Sequence, residues 1–404
     1  MIAEIKKSTL RGTIIAPPSK SMTHRLLICG GLANGKSIIK GVALSEDIKA
    51  TLGCLKSIGA EYTYENDEVI IDGTNVNKSI FEFNLNCNES GSTLRFFIPI
   101  CSVLNKKTTF YGSKTLLQRP LSVYENIFSN QNIEFSNDGE KVLLNGKLKS
   151  GKYKIKGNIS SQFISGLLFA LPMLNGDSEI TILPPIESRS YIDLTIKALE
   201  RFGIKIEWSH ERTIFIRGNQ QYVPQNVTVE GDYSNTAFFE ALNYFDNDVK
   251  IEGLNENSIQ GDKAYLKFFP MLQKGTPTIH LGGCPDLGPI LFALSAAKNG
   301  AIFTGTKRLK LKESDRSSAM AEELSKMGVS VKIEEDSVLI YPINFKAPSE
   351  MLYGHNDHRI VMALAVLLTF TGGKIKGVEA VKKSMPDFFT KLQSIGADIK
   401  FTYE

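Results

Sequence analysis

Cysteine is scarce in this chain of 404 residues: five thiols, at Cys29, Cys54, Cys87, Cys101 and Cys284, with no CxxC pair. An odd and scattered set supports neither a disulfide framework nor a zinc site, and the expectation is buried free thiols in a reducing cytoplasm. Long apolar runs are missing as well. The longest, residues 163–174 and 360–370, span 12 and 11 residues, against the ~20 needed to cross a bilayer. No apolar h-region follows MIAEIKKSTLRG, so no secretory signal is expected. Net charge is small: 47 Lys plus Arg against 43 Asp plus Glu leave +4, too little for a general nucleic-acid or membrane-surface binder. Any electrostatic role must come from placement. What remains, 42% hydrophobic and 22% charged residues, is a globular composition that excludes a disordered tail, a collagen-like repeat or a coiled coil, and the length allows two or three domains.

One pattern recurs: Leu, two residues, an Ile, Phe or Met, then Gly, followed by two alternating apolar runs around a polar tip. The copies are LKSIGAEYTYENDEVIIDG, LERFGIKIEWSHERTIFIRG, LSKMGVSVKIEEDSVLIYP and LQSIGADIKFTYE, with Gly at 59, 203, 328 and 396. Each reads as a helix C-cap entering a hairpin. Spacings of 144, 125 and 68 residues suggest a unit of about 68 with two degenerate copies. IFSNQNIEFSNDGEKVLLNG, with Asn130 in place of Gly, and FFPMLQKGTPTIHLGG from Phe268 are the candidates. Six units of about 67 residues fill the chain. The spacing therefore predicts six α/β repeats in two pseudo-equivalent halves, with chain crossings in the stretch GNQQYVPQNVTVEG and near Pro17-Pro18.

Five predicted helix starts gather polar residues: SKSMTHRLLICGG, SGSTLRFFIPI, SSQFISGLLFALPML, KESDRSSAMAEELSKMG with Ser314 as expected N-cap, and NDHRIVMALAVLL. Four of them carry Lys or Arg, at Lys20 and Arg25, Arg95, Arg316 and Arg359. A cation in a first turn opposes the helix dipole by a few tenths to about 1 kcal/mol. Repetition of that cost in one chain makes sense if anions sit before these helices, where free N–H groups and cations act together.

Two further motifs carry less. GGLANGKS at 30–37 matches a P-loop letter for letter, but a helical pattern precedes it and a strand-like run follows, the reverse of the P-loop context. His355-Asn-Asp-His358 lacks the i, i+4 spacing of a helical metal pair and reads as hydrogen-bonded histidine.

The segments SKSMTHR, SGSTLRF, LLQRP, SSQFISGLL, SRSYIDLT, GDYSNTAFF, KESDR, NDHR and KKSMPDFF, in that order, resemble those of the EPSP synthase family of enolpyruvyl transferases, from about residue 11 to 396. The resemblance implies an α/β, two-lobed inverse α/β-barrel fold of six βαβαββ repeats, three per lobe, with a cleft between lobes. One lobe would comprise 1–17 and 226–404, the other 18–225, the N-terminal strand joining the C-terminal lobe. The activity implied is transfer of the enolpyruvyl group of phosphoenolpyruvate to the 5-hydroxyl of shikimate 3-phosphate, with release of phosphate. By motif, Lys20, Ser21, Arg25, Ser160, Ser161, Gln162, Ser188, Tyr191, Asp286 and Lys312 would hold shikimate 3-phosphate. Lys20, Gly91, Arg119, Gln162, Arg316, Arg359 and Lys383 would hold phosphoenolpyruvate. Asp286, helped by Lys312, would stand beside the attacking hydroxyl, Glu313 would be the acid to the methylene, and Lys20 would complete the catalytic set. No cofactor or metal is implied, since C–O rather than P–O cleavage needs no Mg²⁺. The partners are the two small molecules alone, with no nucleic acid or membrane, for a cytoplasmic monomer. Departures from the family pattern are Pro18, Glu89 and Arg308. Two rivals stay open: a UDP-N-acetylglucosamine enolpyruvyltransferase, whose loop cysteine has no counterpart in TLLQRP, and a non-catalytic anion-binding protein on the same scaffold.

Overall fold

The computed structural model describes residues 1–78, 80–342 and 344–403; Glu404, the last residue of the fourth repeat copy, lies outside them. The chain forms two compact units, Lys20–Glu230 and Met1–Ser19 with Gly231–Glu404. Asn226–Thr228, expected to open the second unit, pairs in parallel with Lys36–Lys40 and so belongs to the first.

Among the described residues of Lys20–Glu230 there are three four-stranded sheets. The plainest is Glu82–Asn86, helix Gly91–Leu104, Lys107–Tyr111, helix Ser122–Ser129, then the hairpin Glu134–Asn137 and Lys141–Asn145. The first two strands run parallel, the hairpin pairs antiparallel, and its second strand sits inside. Lys152–Lys156, Ser178–Leu183, Ile206–His210 and Thr213–Ile216 repeat this order. Strand residues alternate between buried and exposed, as in KTTFY at 107–111, so each sheet packs one face on helices and turns the other to water. The helices inside are apolar nearly all round, and the Gly91 and Ser161 helices pack on one another.

The other unit repeats the plan with Thr278–His280, Ala301–Thr304, Ser330–Ile333 and Ser337–Tyr341. Its second sheet takes a strand from the far end of the chain: Ile2–Ile5 lies between Gly373–Lys376 and Ile399–Thr402. Every side chain from Ile360 to Leu368 is fully buried, which is what a helix hydrophobic on all faces requires. In the third sheet, among the described residues, Arg11–Ile15 and Asp248–Glu252 alone pair. The Phe268 segment is therefore no hairpin copy: helix Tyr265–Lys274 ends at Gly275 with extended backbone and feeds straight into Thr278–His280 of the next sheet.

The four repeat glycines all have positive φ, from 75° to 108°. At the first, the Gly59 N–H donates to the Lys56 carbonyl and the Ala60 N–H to the Leu55 carbonyl, the Schellman pair. Gly203, Gly328 and Gly396 repeat it through Leu199, Leu324 and Leu392. In the fifth copy the left-handed residue is Asn132, φ 55°, with Ile133 donating to Phe128, while Asn130 is right-handed helical. Asparagine tolerates αL better than other side chains, so the motif survives two residues beyond its expected place.

Candidate active site

In the Lys20–Glu230 unit, polar groups collect at helix starts. Arg25, buried one turn into helix Lys20–Leu32, donates from Nε to Thr195 Oγ1 (2.8 Å), from Nη1 to the Ser21 carbonyl (2.6 Å) and from Nη2 to the Tyr191 carbonyl (3.0 Å). Burial pushes its guanidinium down to about 10, still charged at neutral pH. Lys20 Nζ lies 2.7 Å from Asp47 Oδ2 on helix Glu46–Ser57. Ser160 caps helix Ser161–Ala170 by accepting from the Gln162 N–H. Gln162 in turn accepts from Arg95 Nη1 at 2.6 Å and donates to Ser92 Oγ at 2.9 Å. A Cβ on Gly91 would stand 3.0 Å from both Arg95 Nη1 and Arg119 Nη1, so two guanidinium tips converge on backbone that only glycine leaves open. Ser188, fully buried at the head of helix Arg189–Arg201, holds φ 54°. A left-handed serine costs roughly 1–2 kcal/mol, and such residues concentrate at functional positions.

In the other unit the centre is Arg316, the first residue of helix Arg316–Ser325 and 1% exposed. Its three nitrogens go to three carboxylates: Nε to Asp357 Oδ2 (2.9 Å), Nη1 to Asp286 Oδ1 (2.8 Å) and Nη2 to Glu313 Oε2 (2.7 Å). Lys312 Nζ is 3.0 Å from Asp286 Oδ1, and Arg359 Nη2 is 3.7 Å from Asp286 Oδ2. Burial alone would raise the Asp286 carboxyl, but Lys312, Arg359 and Arg316 outweigh it and hold it well below the usual carboxylate range. Burial lowers the Lys312 ammonium against the opposing pull of Asp286. Burial would lower the Arg316 guanidinium, but Asp357, Glu313 and Asp286 outweigh it and raise it further. Asp357 is fully buried and caps helix His358–Thr371 by accepting from the Arg359 N–H. Lys383 Nζ donates to the carbonyl of Asn356, the neighbour of Asp357, at 2.6 Å.

The structure thus brings together Asp286, Lys312, Glu313, Arg316 and Arg359, and separately Gly91, Arg119 and Gln162, and Ser21, Arg25 and Tyr191. Lys20 pairs with Asp47. Three participants escaped the site assigned from motifs: Arg95, Asp47 and Asp357. Arg95 and Asp357 stood in the quoted segments SGSTLRF and NDHR. Asp47 had no such signal, because its partner is 27 residues away. The expected cap Ser314 donates to Asp357 Oδ2 at 3.0 Å, and Asp315 caps the helix instead by accepting from the Ser318 N–H. Of the departures, Arg308 is buried with Nη1 3.4 Å from the Gly282 carbonyl, adding to the positive field at Lys312.

His355 Nε2 meets the buried Glu323 Oε1 at 2.8 Å, and Glu322 completes a group with ligand-type geometry. Lys326 Nζ lies 3.0 Å from both Glu323 oxygens, so an ammonium already neutralises that carboxylate.

A family model described as EPSP synthase (3-phosphoshikimate 1-carboxyvinyltransferase) matches residues 5–274 and 271–392. A 3-phosphoshikimate 1-carboxyvinyltransferase from Clostridium perfringens strain 13 is 41% identical over 420 residues, covering 98% of each chain. One from Clostridioides difficile strain 630 is 38% identical, again over 98% of both. Among solved structures, EPSP synthase from Acinetobacter baumannii superimposes with a TM-score of 0.80 at 23% identity over the full length of both chains. The enolpyruvyl transferase NikO from Streptomyces tendae gives 0.76 at 13% identity over 99% and 98%. These two likenesses speak to the fold.

Proposed function

The chain belongs to the EPSP synthase family, and on that premise we propose that it transfers the enolpyruvyl group of phosphoenolpyruvate to the 5-hydroxyl of shikimate 3-phosphate, a step of aromatic amino-acid biosynthesis. The observation that carries this reading is the knot of Asp286, Lys312, Glu313, Arg316 and Arg359. It offers fixed cations for a polyanion and two carboxylates, each about one-fifth exposed, for proton transfer. The reaction needs both: a proton must leave the attacking hydroxyl and another must reach the methylene carbon.

In this proposal Asp286 accepts the hydroxyl proton. Held anionic by Lys312, Arg359 and Arg316, it can take a proton only transiently, as the alkoxide's charge passes to the new C–O bond. Glu313 delivers the proton to the methylene. Glu313 takes that proton from solvent once a ligand anion draws away the Arg316 Nη2–H now paired with it. Arg316 has one Nη1 proton left for a ligand, and with Arg359 and Lys383 it would hold an anion; in the other unit Lys20, Arg119, Gly91 and Gln162 would bind phosphoenolpyruvate. Arg25, Ser21, Ser160, Ser161, Ser188 and Tyr191 would hold the sugar phosphate, all but Arg25 near or at helix starts where N–H groups favour anions.

The same reading has the chain act as a cytoplasmic monomer on these two small molecules. Five buried free cysteines suit a reducing compartment, and no helix of the described residues is long and apolar enough to cross a membrane. Phosphate release from phosphoenolpyruvate, measured with shikimate 3-phosphate, with UDP-N-acetylglucosamine and with neither, tests the proposal. Release with the first acceptor alone is expected. Release with the nucleotide sugar, or with no acceptor at all, would overturn it.

A further inference from the structure

A chain of buried hydroxyls joins three helices beside the first cluster. His24 Nδ1 lies 2.7 Å from Thr51 Oγ1, Thr51 Oγ1 lies 2.7 Å from Thr93 Oγ1, and Thr93 Oγ1 donates to Ser90 Oγ at 2.7 Å. All four side chains are at most 1% exposed. His24 sits on helix Lys20–Leu32, Thr51 on Glu46–Ser57 and Thr93 on Gly91–Leu104, whose N-cap Ser90 also accepts from the Thr93 N–H. Each hydroxyl has one proton. Thr93 spends its proton on Ser90, so Thr51 must donate to Thr93, and Nδ1 of His24 must donate to Thr51. The chain of donors fixes the tautomer: Nδ1 carries hydrogen and Nε2 a lone pair.

Charge points the same way. An imidazolium would bury a second N–H at Nε2, which has no hydrogen-bond partner among the described residues. Burial, with Lys20 and Arg25 on the same helix, holds His24 well below the usual histidine range. From the neighbouring Glu46 helix comes Asp47, already paired with Lys20. Lys20–Asp47 and His24–Thr51 are two rungs between the same helices, each member four residues beyond its predecessor, and residues so spaced share a helix face.

We propose that neutral His24 is a positioning residue: its Nδ1–H starts a relay through Thr51 and Thr93 to Ser90 that fixes the start of the Gly91 helix relative to Lys20. This rests on the roles proposed above for Lys20 and Gly91 in holding phosphoenolpyruvate. The relay touches no substrate and acts through the helix starts.

Two measurements test it. Long-range ¹H–¹⁵N spectra of histidine-labelled wild-type protein at neutral pH should show His24 neutral with Nδ1 protonated; an Nε2-protonated or imidazolium signature overturns the relay. In steady-state assays, His24→Leu, which removes the donor, should raise KM for phosphoenolpyruvate about tenfold with kcat changed less than about threefold. His24→Asn, whose amide can donate to Thr51, should stay within about threefold of wild type in both. Equal impairment by Leu and Asn, or none by Leu, overturns the proposal. Failure of the assigned reaction would appear instead as no phosphate release by wild-type protein, and the tautomer then decides the relay by itself.

Discussion

Asp357→Asn removes one charge from a fully buried acceptor and leaves the shape almost unchanged. Asp357 Oδ2 accepts from Arg316 Nε at 2.9 Å and Ser314 Oγ at 3.0 Å, while Oδ1 accepts from the Arg359 N–H at 2.9 Å. Donors face both oxygens. In asparagine one of them becomes an NH₂ that must confront an N–H, whichever way the amide is turned. Removing one partner of a buried pair costs about 3–5 kcal/mol. Arg316 retains Asp286 and Glu313, so the lower figure, about 3 kcal/mol, applies. A unit of about 190 residues shifts by roughly 2–4 °C per kcal/mol, which gives a fall in Tm of about 6–12 °C. Thermal unfolding followed by circular dichroism, in the same buffer for both proteins, reads this directly. A Tm within about 2 °C of wild type would refute the claim that Asp357 anchors the Arg316 knot.

Glu313→Gln should lower kcat more than tenfold, at least ~1.4 kcal/mol in the barrier, while shikimate 3-phosphate binding by calorimetry stays nearly intact; a kcat above about a tenth of wild type would mean another acid. Arg25→Ala should do the reverse and mainly raise the dissociation constant for shikimate 3-phosphate, since Arg25 lies among the groups assigned to the sugar phosphate. Asp286 and Glu323 both have carboxyls lowered in the folded state, by cations around the first and by His355, the Tyr353 N–H and Lys326 around the second, each outweighing burial. Their stabilising contribution is complete above the unfolded values near pH 4 and is lost as pH falls through the lower folded ones. Urea midpoints should therefore drop below about pH 4, and Glu323→Gln should flatten that drop; an unchanged slope would remove Glu323 from the account. Turnover should survive exhaustive chelation, because C–O cleavage asks for no electrophile on phosphorus; activity lost with EDTA and restored by Mg²⁺ would contradict it.

Local, fixed-offset chemistry was what the sequence made legible. Leu55 and Gly59 and their counterparts announce the Schellman turns because the backbone needs positive φ at one defined place. Asn132 went unread since asparagine can fill that place and the chain shifts it by two residues. Exchange of chain ends was legible only through family resemblance, because the pairing of Ile2–Ile5 with Gly373–Lys376 leaves no local trace. The same division holds at the site. Cations at helix starts stood out against the dipole, whereas the carboxylates that hold them did not: Asp357 and Asp286 meet Arg316 across 41 and 30 residues. Roles for Ser188, Asp286 and Lys383 came from resemblance alone.

In this reaction an enolpyruvyl group, and no phosphoryl group, moves. Phosphoenolpyruvate labelled with ¹⁸O in the oxygen bridging carbon and phosphorus distinguishes the two in one turnover with shikimate 3-phosphate. Cleavage of the C–O bond sends the label into released phosphate, and mass spectrometry should find it there and absent from the organic product. Unlabelled phosphate, with ¹⁸O retained on the three-carbon fragment, would contradict the account.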